Sequence, residues 1–259
     1  MQYKDFVGDA RDLVINTLDE VERTQNVRVL YAVESGSRAW GFASPDSDYD
    51  VRFIYVRPKE DYLRLEKTRD VIELPIEGEL DINGWDLDKT LRLLHTPNPT
   101  LFEWFSSPIV YRETAFASEL RSIMQQYFSS RRGLSHYLSM ASDNYRAYLK
   151  ADTVKAKKYF YVLRPVLACR WILDKGTPPP MRFSELMESE LDPDLLSDVN
   201  KLLDMKMNAP ESKTIPRIES INRYLDSSIK EVHTRILQLP EDMNHGWEEL
   251  DRMFLSQLQ

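Results

Sequence analysis

Two apolar β-type runs flank a Gly-Ser turn, and the second run opens on two aspartates one residue apart. The first run, residues 27–33, is rich in Val, Leu and Tyr, which is typical of a buried strand. Gly36 and Ser37 follow it, and the second run begins at Asp48-Tyr-Asp50. The stretch therefore joins a glycine-serine turn to a pair of carboxylates between two predicted strands.

The Gly-Ser turn has the chemistry of a phosphate-binding loop. Glycine lets the backbone come close to a ligand, and successive N–H groups at a turn or helix start form a positive concavity for phosphate oxygens. Ser37 adds a hydroxyl there, and Arg38 and Trp40 follow it closely. We expect Gly36, Ser37 and Arg38 to contact a nucleotide, while for Trp40 a structural role is an equal alternative.

The two aspartates predict a metal site. Side chains alternate along a strand, so Asp48 and Asp50 share one face. Two ionised carboxylates on one face repel, and a hard divalent cation with oxygen ligands relieves this repulsion, Mg²⁺ fitting best. An ordinary solvated turn is the alternative. The Gly-Ser motif ten residues earlier favours the metal site, because the conjunction is much rarer than either motif alone.

These motifs resemble a known family. Gly36-Ser37 followed by Asp48-Tyr-Asp50 is similar to the signature of the DNA polymerase beta-like nucleotidyltransferase superfamily. Two longer motifs resemble a bacterial and phage branch of predicted nucleotidyltransferases associated with RNA repair. They are Gly-Ser-Arg-Ala-Trp-Gly and Ser-Asp-Tyr-Asp-Val-Arg. The resemblance implies a metal-dependent transferase that uses a nucleoside triphosphate.

The resemblance also implies a third acidic ligand on a neighbouring strand, and we assign it to Asp81. Leu80 and Ile82 flank this residue and are expected to face the core, which turns Asp81 toward the site. Glu79 would share the face of Asp81 but lies nearer a turn. Asp86 directly precedes an amphipathic helical pattern, so it is better interpreted as the N-cap of that helix.

Composition places the chain among soluble proteins. Its 259 residues, 42% of them hydrophobic, can form one large or two modest domains. The sequence shows neither a basic-then-apolar leader nor an apolar run long enough for a membrane span, so we expect a cytoplasmic protein with no membrane partner. The single cysteine, Cys169, excludes intrachain disulfides and is predicted to be buried.

Charge is distributed very unevenly along the chain. Residues 121–182 contain twelve Lys and Arg against three Asp, a balance of +9, while the whole chain carries −8 and the remainder therefore −17. Such asymmetry is expected where a triphosphate or polyanionic substrate is held near acidic metal ligands. The alternative is a solvated helical face.

The pattern of apolar residues predicts two domains of an α+β protein. Residues 1–112 are expected to form a nucleotidyltransferase domain with a small mixed β-sheet, and residues 113–259 an α-helical bundle. The predicted strands are 27–34, 49–56, 70–75 and 80–85, and the predicted helices are 10–23, 87–95, 115–128, 134–149, 154–173, 195–207, 218–237 and 247–258.

One helix of the second domain is rich in basic and aromatic residues. In the superfamily that the motifs resemble, a helical domain faces the catalytic sheet, and this implies basic residues that hold the triphosphate. Lys158 and Arg164 are our candidates. Arginine can donate two parallel hydrogen bonds to a phosphate, and lysine acts as a point charge. Tyr161 is the one aromatic residue we expect to stack on a base, and Pro165 is expected to bend the helix.

The resulting hypothesis is nucleotide transfer to an acceptor hydroxyl with release of pyrophosphate. Two Mg²⁺ ions, with Mn²⁺ as an alternative, would be held by Asp48, Asp50 and Asp81. The family branch and the basic segment favour an RNA end as acceptor. A small molecule or a protein hydroxyl are alternatives, as is an inactive fold that binds nucleotide as a sensor.

Overall fold

A computed structural model of the chain describes residues 8–76, 78–208, 212–240 and 245–258. It confirms the predicted α+β class, with a mixed sheet and many helices. The strands are β1 (Arg28–Glu34), β2 (Tyr49–Val56), β3 (Val71–Glu73), β4 (Leu80–Asp86), β5 (Val110–Glu113), β6 (Thr153–Lys155) and β7 (Thr214–Pro216). The helices are α1 (Gly8–Gln25), α2 (Gly36–Trp40), α3 (Lys59–Tyr62), α4 (Leu87–His95), α5 (Pro99–Phe105), α6 (Ala115–Tyr127), α7 (Ser130–Tyr148), α8 (Ala156–Lys175), α9 (Phe183–Glu190), α10 (Leu196–Asn208), α11 (Glu219–Ile236) and α12 (Glu248–Gln257), with a 3₁₀ helix at Pro193–Leu195.

Five strands form one mixed sheet in the order β3-β4-β2-β1-β5. β2 runs parallel to β4, whereas β1 is antiparallel to both β2 and β5, and β3 is antiparallel to β4. β1 is buried at every position after Arg28, as expected for a near-continuous apolar run. β2 is partly exposed only at Tyr49, Asp50 and Arg52, so its polar residues all lie in its first half.

Helix α1 covers one face of this sheet. Val14, Leu18 and Val21 recur every three or four residues and are buried in one cluster with the sheet residues Val51 and Phe53. One compact unit, unit 1, consists of the described residues within Met1–Ala39, Asp48–Tyr127 and Asn244–Gln259. The apolar stripe of α1 thus closes the core that holds the strands of unit 1 in place.

Helix α8 is the central element of a second core. Its Phe160 and Leu163 are fully buried, and Phe42 packs against Phe160 and Phe183 with ring centroids 4.8 and 5.4 Å apart. The helix ends at Gly176, which takes the left-handed conformation common at helix C-termini. A compact unit, unit 2, consists of the described residues within Trp40–Ser47 and Phe128–Met243.

The structure contains short elements that the apolar pattern did not predict. β5 and α5 lie before residue 114, α9 follows residue 182, and β6 pairs with β7 as a two-stranded ribbon among the helices. Strands of three or four residues are too short to show a clear period of two, which explains why β5, β6 and β7 were missed. The long helices and the four predicted strands were found with end points shifted by a few residues at most.

The two compact units divide the chain differently from the boundary predicted between residues 112 and 113. β5 pairs with β1, and the helix after it, α6, buries Phe116, Ala117 and Leu120 within unit 1. α12 also belongs to unit 1. At least α6, beyond residue 113, therefore packs against the strands β1 and β5.

Two expectations from composition concern burial and membranes. Cys169 is buried, as predicted, and burial raises the pKa of its thiol, which keeps it protonated and unreactive. Across the described ranges, no helix combines the length and the apolar character needed to cross a bilayer.

Candidate active site

The first residues of β2 and β4 bring two of the three predicted acids together. The parallel pairing sets Asp50 opposite Asp81, with both side chains on one face of the sheet. Neighbouring strands lie about 5 Å apart, close enough for two carboxylates to share one cation. Asp48 directly precedes β2 and is exposed.

Gly36 lies against the carboxylate of Asp50. The backbone N–H of Ser35 donates to the carbonyl of Asp50 over 2.8 Å, and Gly36 has a φ of +52°. A Cβ at this position would lie 1.9 Å from Oδ2 of Asp50. Glycine is therefore required both by the backbone conformation and by the space that the carboxylate occupies. The predicted contact of Gly36 with phosphate stays a prediction.

The residues after Gly36 tie the turn to the start of β2. Ser37 is partly exposed at the start of α2. Nε of Arg38 donates to the carbonyl of Asp48 over 3.1 Å, and its guanidinium lies 3.7 Å from the ring centroid of Tyr49. Arg38 thus connects the Gly-Ser turn with the Asp-Tyr-Asp segment across the intervening loop.

A guanidinium lies between the two paired acids. Nη2 of Arg52 donates to Oδ1 of Asp50 over 3.1 Å and to Oδ2 of Asp81 over 2.7 Å. Its Nη1 donates to the carbonyls of Val51 and Asp81. Arg52 was not among the predicted site residues, although period-two alternation places it on the same face as Asp50.

The acidic side chains of this site determine whether it can hold the predicted metal ion. Within the described residues, no group of three or more His, Cys, Asp or Glu side chains could hold a metal ion, so the predicted trio of Asp48, Asp50 and Asp81 is not assembled as one cluster. Asp50 and Asp81 nevertheless supply hard oxygen donors at one place, and Arg52 already fills that place with a positive charge. In charge and donor type, though not in number of ligands, this pair suits a divalent cation.

A buried glutamate, which was not predicted from the sequence, holds the backbone of Asp50. Glu34 is fully buried at the end of β1, where its carboxylate accepts from the N–H of Asp50 over 2.8 Å and from the hydroxyl of Tyr111 over 2.5 Å. Ser107 donates to its carbonyl. Burial raises the pKa of Glu34 to about 7, although both hydrogen bonds oppose this shift. Glu34 thereby holds the backbone from which the Asp50 side chain extends.

Asp86, the rival for the third acid, is the predicted helix cap. Its Oδ1 accepts from the N–H of Asp88 over 2.9 Å at the start of α4 and from the hydroxyl of Tyr62 over 3.0 Å. The interpretation of Asp86 as an N-cap is confirmed. Asp86 is the last residue of β4, at the other end of the strand from Asp81.

The two predicted phosphate ligands on α8 lie in unit 2 and differ in exposure. Lys158 is partly exposed, and its Nζ lies 3.9 Å from the ring centroid of Tyr148 and 4.4 Å from that of Tyr161. Arg164 is only 2% exposed, with its guanidinium 4.8 Å from the ring centroid of Trp40 and Nη2 3.6 Å from Sδ of Met181. Their contact with phosphate stays a prediction.

The match to a protein-family model agrees with these motifs. Residues 10–256 match the model of a family, RlaP, described as the RNA repair pathway DNA polymerase beta family. An uncharacterized protein of Bacillus subtilis (strain 168), YcgL, is 46% identical over 245 residues, which cover 94% of each chain. A nucleotidyltransferase-like protein from Exiguobacterium sibiricum 255-15, of known crystal structure, aligns with 88% of this chain and 75% of its own at a TM-score of 0.32 and 12% identity. The family match spans nearly all of the sequence, so the chain belongs to the RNA repair pathway DNA polymerase beta family, a family of polymerase beta-like nucleotidyltransferases.

Proposed function

We propose that this protein transfers a nucleoside monophosphate from a nucleoside triphosphate to an acceptor hydroxyl. The observation that carries the proposal is the pair of acids Asp50 and Asp81, in register on parallel strands and directly against Gly36, in a polymerase beta-like chain. The acceptor oxygen forms a bond to the α phosphorus, the bond from that phosphorus to the β phosphate oxygen breaks, and pyrophosphate leaves.

The residues at this edge of the sheet have separate roles. The backbone N–H groups and the hydroxyl at Gly36 and Ser37 hold phosphate oxygens, with Arg38 beside them as a further donor. Asp81 takes the proton of the acceptor hydroxyl. Glu34 keeps Asp50 in position through the hydrogen bond from its backbone N–H.

The proposed cofactor is Mg²⁺, as two ions, with Mn²⁺ as a substitute. Asp50 and Asp81 would hold it, and Asp48 is the third proposed ligand, from the segment that leads into β2. When bound, the metal lowers the pKa of the acceptor hydroxyl and offsets the negative charge of the phosphates.

Lys158 and Arg164 are proposed to bind the triphosphate from α8. Lys158 suits this role better, because it is partly exposed and its Nζ lies against two tyrosine rings. Arg164 would have to leave buried contacts with Trp40 and Met181 to reach a ligand, which costs free energy. Replacing Lys158 by Met is therefore expected to raise the KM for the nucleotide more than it lowers kcat.

An RNA end is the proposed acceptor. The description of the family names an RNA repair pathway, and residues 121–182 carry a net charge of +9 that would favour a polyanion. A protein hydroxyl or a small molecule would need no such basic segment.

The test is to incubate the protein with each α-labelled nucleoside triphosphate, with Mg²⁺ or Mn²⁺, in the presence of RNA or cell lysate. Label that becomes sensitive to RNase supports the RNA acceptor, and label sensitive to protease identifies a protein acceptor instead. Asp50→Asn is the negative control. If Asp48→Ala kept most of the transfer activity, Asp48 would be removed from the proposed ligands.

A nucleotide sensor is the second candidate, and Arg52 is the observation that favours it. Its ion pairs with Asp50 and Asp81 offset one of their two negative charges without any metal. Binding of a nucleoside triphosphate without label transfer to any acceptor, in either Mg²⁺ or Mn²⁺, would select the sensor over the transferase.

A further inference from the structure

Arg52 is bound at the place where the proposed metal would bind. Its two Nη groups make four hydrogen bonds, two to the carboxylates of Asp50 and Asp81 and two to the backbone carbonyls of Val51 and Asp81. The side chain is only 20% exposed. Such a set of contacts orients the guanidinium firmly, since each bond to a carboxylate is charge-assisted.

The guanidinium changes the electrostatics of the metal-free protein. Two carboxylates on adjacent strands would repel each other without a cation between them. With Arg52 in place, the three groups carry a net charge of −1 instead of the −2 of the carboxylates alone. Repulsion between Asp50 and Asp81 is therefore already relieved before any metal arrives.

We propose that Arg52 is a resident cation that competes with the divalent metal for Asp50 and Asp81 and so sets the metal affinity of the site. This rests on the proposed function. Oδ1 of Asp50 and Oδ2 of Asp81 each accept from the same Nη2, so a metal ion between these two oxygens would meet the positive charge of that group. The metal is bound only when its attraction to the pair exceeds that of the guanidinium.

Another arginine of unit 1 provides a matched control. Arg112 on β5 also bridges two carboxylates, those of Asp19 and Glu22, and its side chain is 22% exposed. Arg52→Met and Arg112→Met change the net charge equally and each leaves two acids without their arginine. Only the first variant opens the proposed metal site.

The experiment measures Mn²⁺ binding to the metal-free full-length protein by the EPR signal of free Mn²⁺, together with thermal unfolding in EDTA and in Mn²⁺. We expect Arg52→Met to bind Mn²⁺ about tenfold more tightly than the wild type, because the metal no longer breaks two charge pairs. Its Tm in EDTA should fall, and Mn²⁺ should raise that Tm more than it raises the wild-type Tm. Arg112→Met should bind Mn²⁺ as the wild type does. Arg52→Lys keeps the charge but loses the forked guanidinium, so its affinity for Mn²⁺ should lie between those of the wild type and Arg52→Met. It replaces Arg52→Met in the test if that variant does not fold.

Three results would overturn the proposal. Equal or weaker Mn²⁺ binding by Arg52→Met, with clear binding by the wild type, would leave the proposed metal site intact and make Arg52 purely structural. Equal tightening in Arg112→Met would show a general effect of net charge. Absence of Mn²⁺ binding in all variants would overturn this inference together with the metal-dependent part of the proposed function.

Discussion

The parallel strands β2 and β4 have an arginine and aspartate at both ends, yet the two ends differ in exposure. At their start, Arg52 pairs with Asp50 and Asp81, whose side chains are 20%, 29% and 35% exposed. At their end, Arg57 lies 3.6 Å from Asp86, and these side chains are only 11% and 5% exposed. The same ion-pair chemistry is thus open to ligands at one end and enclosed at the other.

The enclosed end is committed to structure. Asp86 caps α4 and accepts from Tyr62 while it pairs with Arg57, so each oxygen already has a protein partner. Burial raises its pKa to about 6 and outweighs the attraction of Arg57, which lowers it. The comparison shows that accessibility, more than residue type, distinguishes a candidate catalytic acid from a structural one.

The largest expected effect is on catalysis at the open end. Asp50→Asn should lower nucleotidyl transfer roughly 1,000-fold, because the amide cannot replace a charged ligand for the metal. Asp86→Asn, at the enclosed end, should retain activity within about threefold, since an asparagine can still cap the helix. Initial rates with α-labelled nucleotide measure both variants. Similar losses in the two variants would erase the functional difference between the ends.

The next largest effect is on stability at the enclosed end. Asp86→Ala should lower the free energy of unfolding by about 3 kcal/mol, because it removes the N-cap of α4 and leaves Arg57 buried without its carboxylate. Asp70→Ala is the control. Asp70 pairs with Lys89 but is 55% exposed, so its loss should cost under about 0.5 kcal/mol. Urea unfolding measures both changes.

The pH dependence of stability sharpens the same contrast. The pKa of Asp86 is about 6 in the folded state and near 3.8 when unfolded, so the folded protein holds the extra proton between these values. Its contribution to stability is fully present below pH 4 and is lost as pH rises through 6. We expect the unfolding free energy of the wild type, relative to Asp86→Asn, to fall by the order of 2 kcal/mol from pH 4 to pH 7. A rise of this free-energy difference over the same range would mean that the attraction of Arg57 lowers the pKa of Asp86 more than burial raises it.

The smallest effect concerns Gly36 at the open end. Gly36→Ala and Gly78→Ala both place alanine at a positive φ, which should cost each variant about 1 kcal/mol of stability. A Cβ at Gly78 meets nothing within 4 Å, whereas one at Gly36 meets Asp50 at 1.9 Å. Only Gly36→Ala should therefore also lose transfer activity, by about tenfold, because the carboxylate must move. Equal activity in the two variants would show that the position of Asp50 is not critical.

Much of the candidate site could be predicted because its signals are local. Period-two alternation placed Asp81 on the polar face of its strand, and the helical pattern after Asp86 identified that residue as a cap. The positive φ of Gly36 fits the turn expected between the two apolar runs. Each of these inferences needed only residues close in the chain.

The contacts of Glu34 and Arg52 could not be predicted in this way. Glu34 binds Tyr111, 77 residues later, and a glutamate at the end of a strand gives no sign by itself that it is buried. Arg52 reaches Asp81, 29 residues away, which depends on how β2 and β4 are paired. From the sequence, relief of the repulsion between the acids was assigned to a divalent cation alone, because the position of the guanidinium was unknown.

The amino-acid sequence alone determined the element types around the site, the turn glycine, the helix cap and the resemblance to polymerase beta-like nucleotidyltransferases. Only the tertiary structure decided that β4 lies parallel beside β2, which places Asp50 opposite Asp81. The same packing places Arg52 between these two acids and the Glu34 carboxylate against the backbone N–H of Asp50. The physical reason is that local periodicity selects the face of a strand to which a side chain belongs. Which distant strand lies alongside, and what fills the space between their side chains, depends on the packing of the whole sheet.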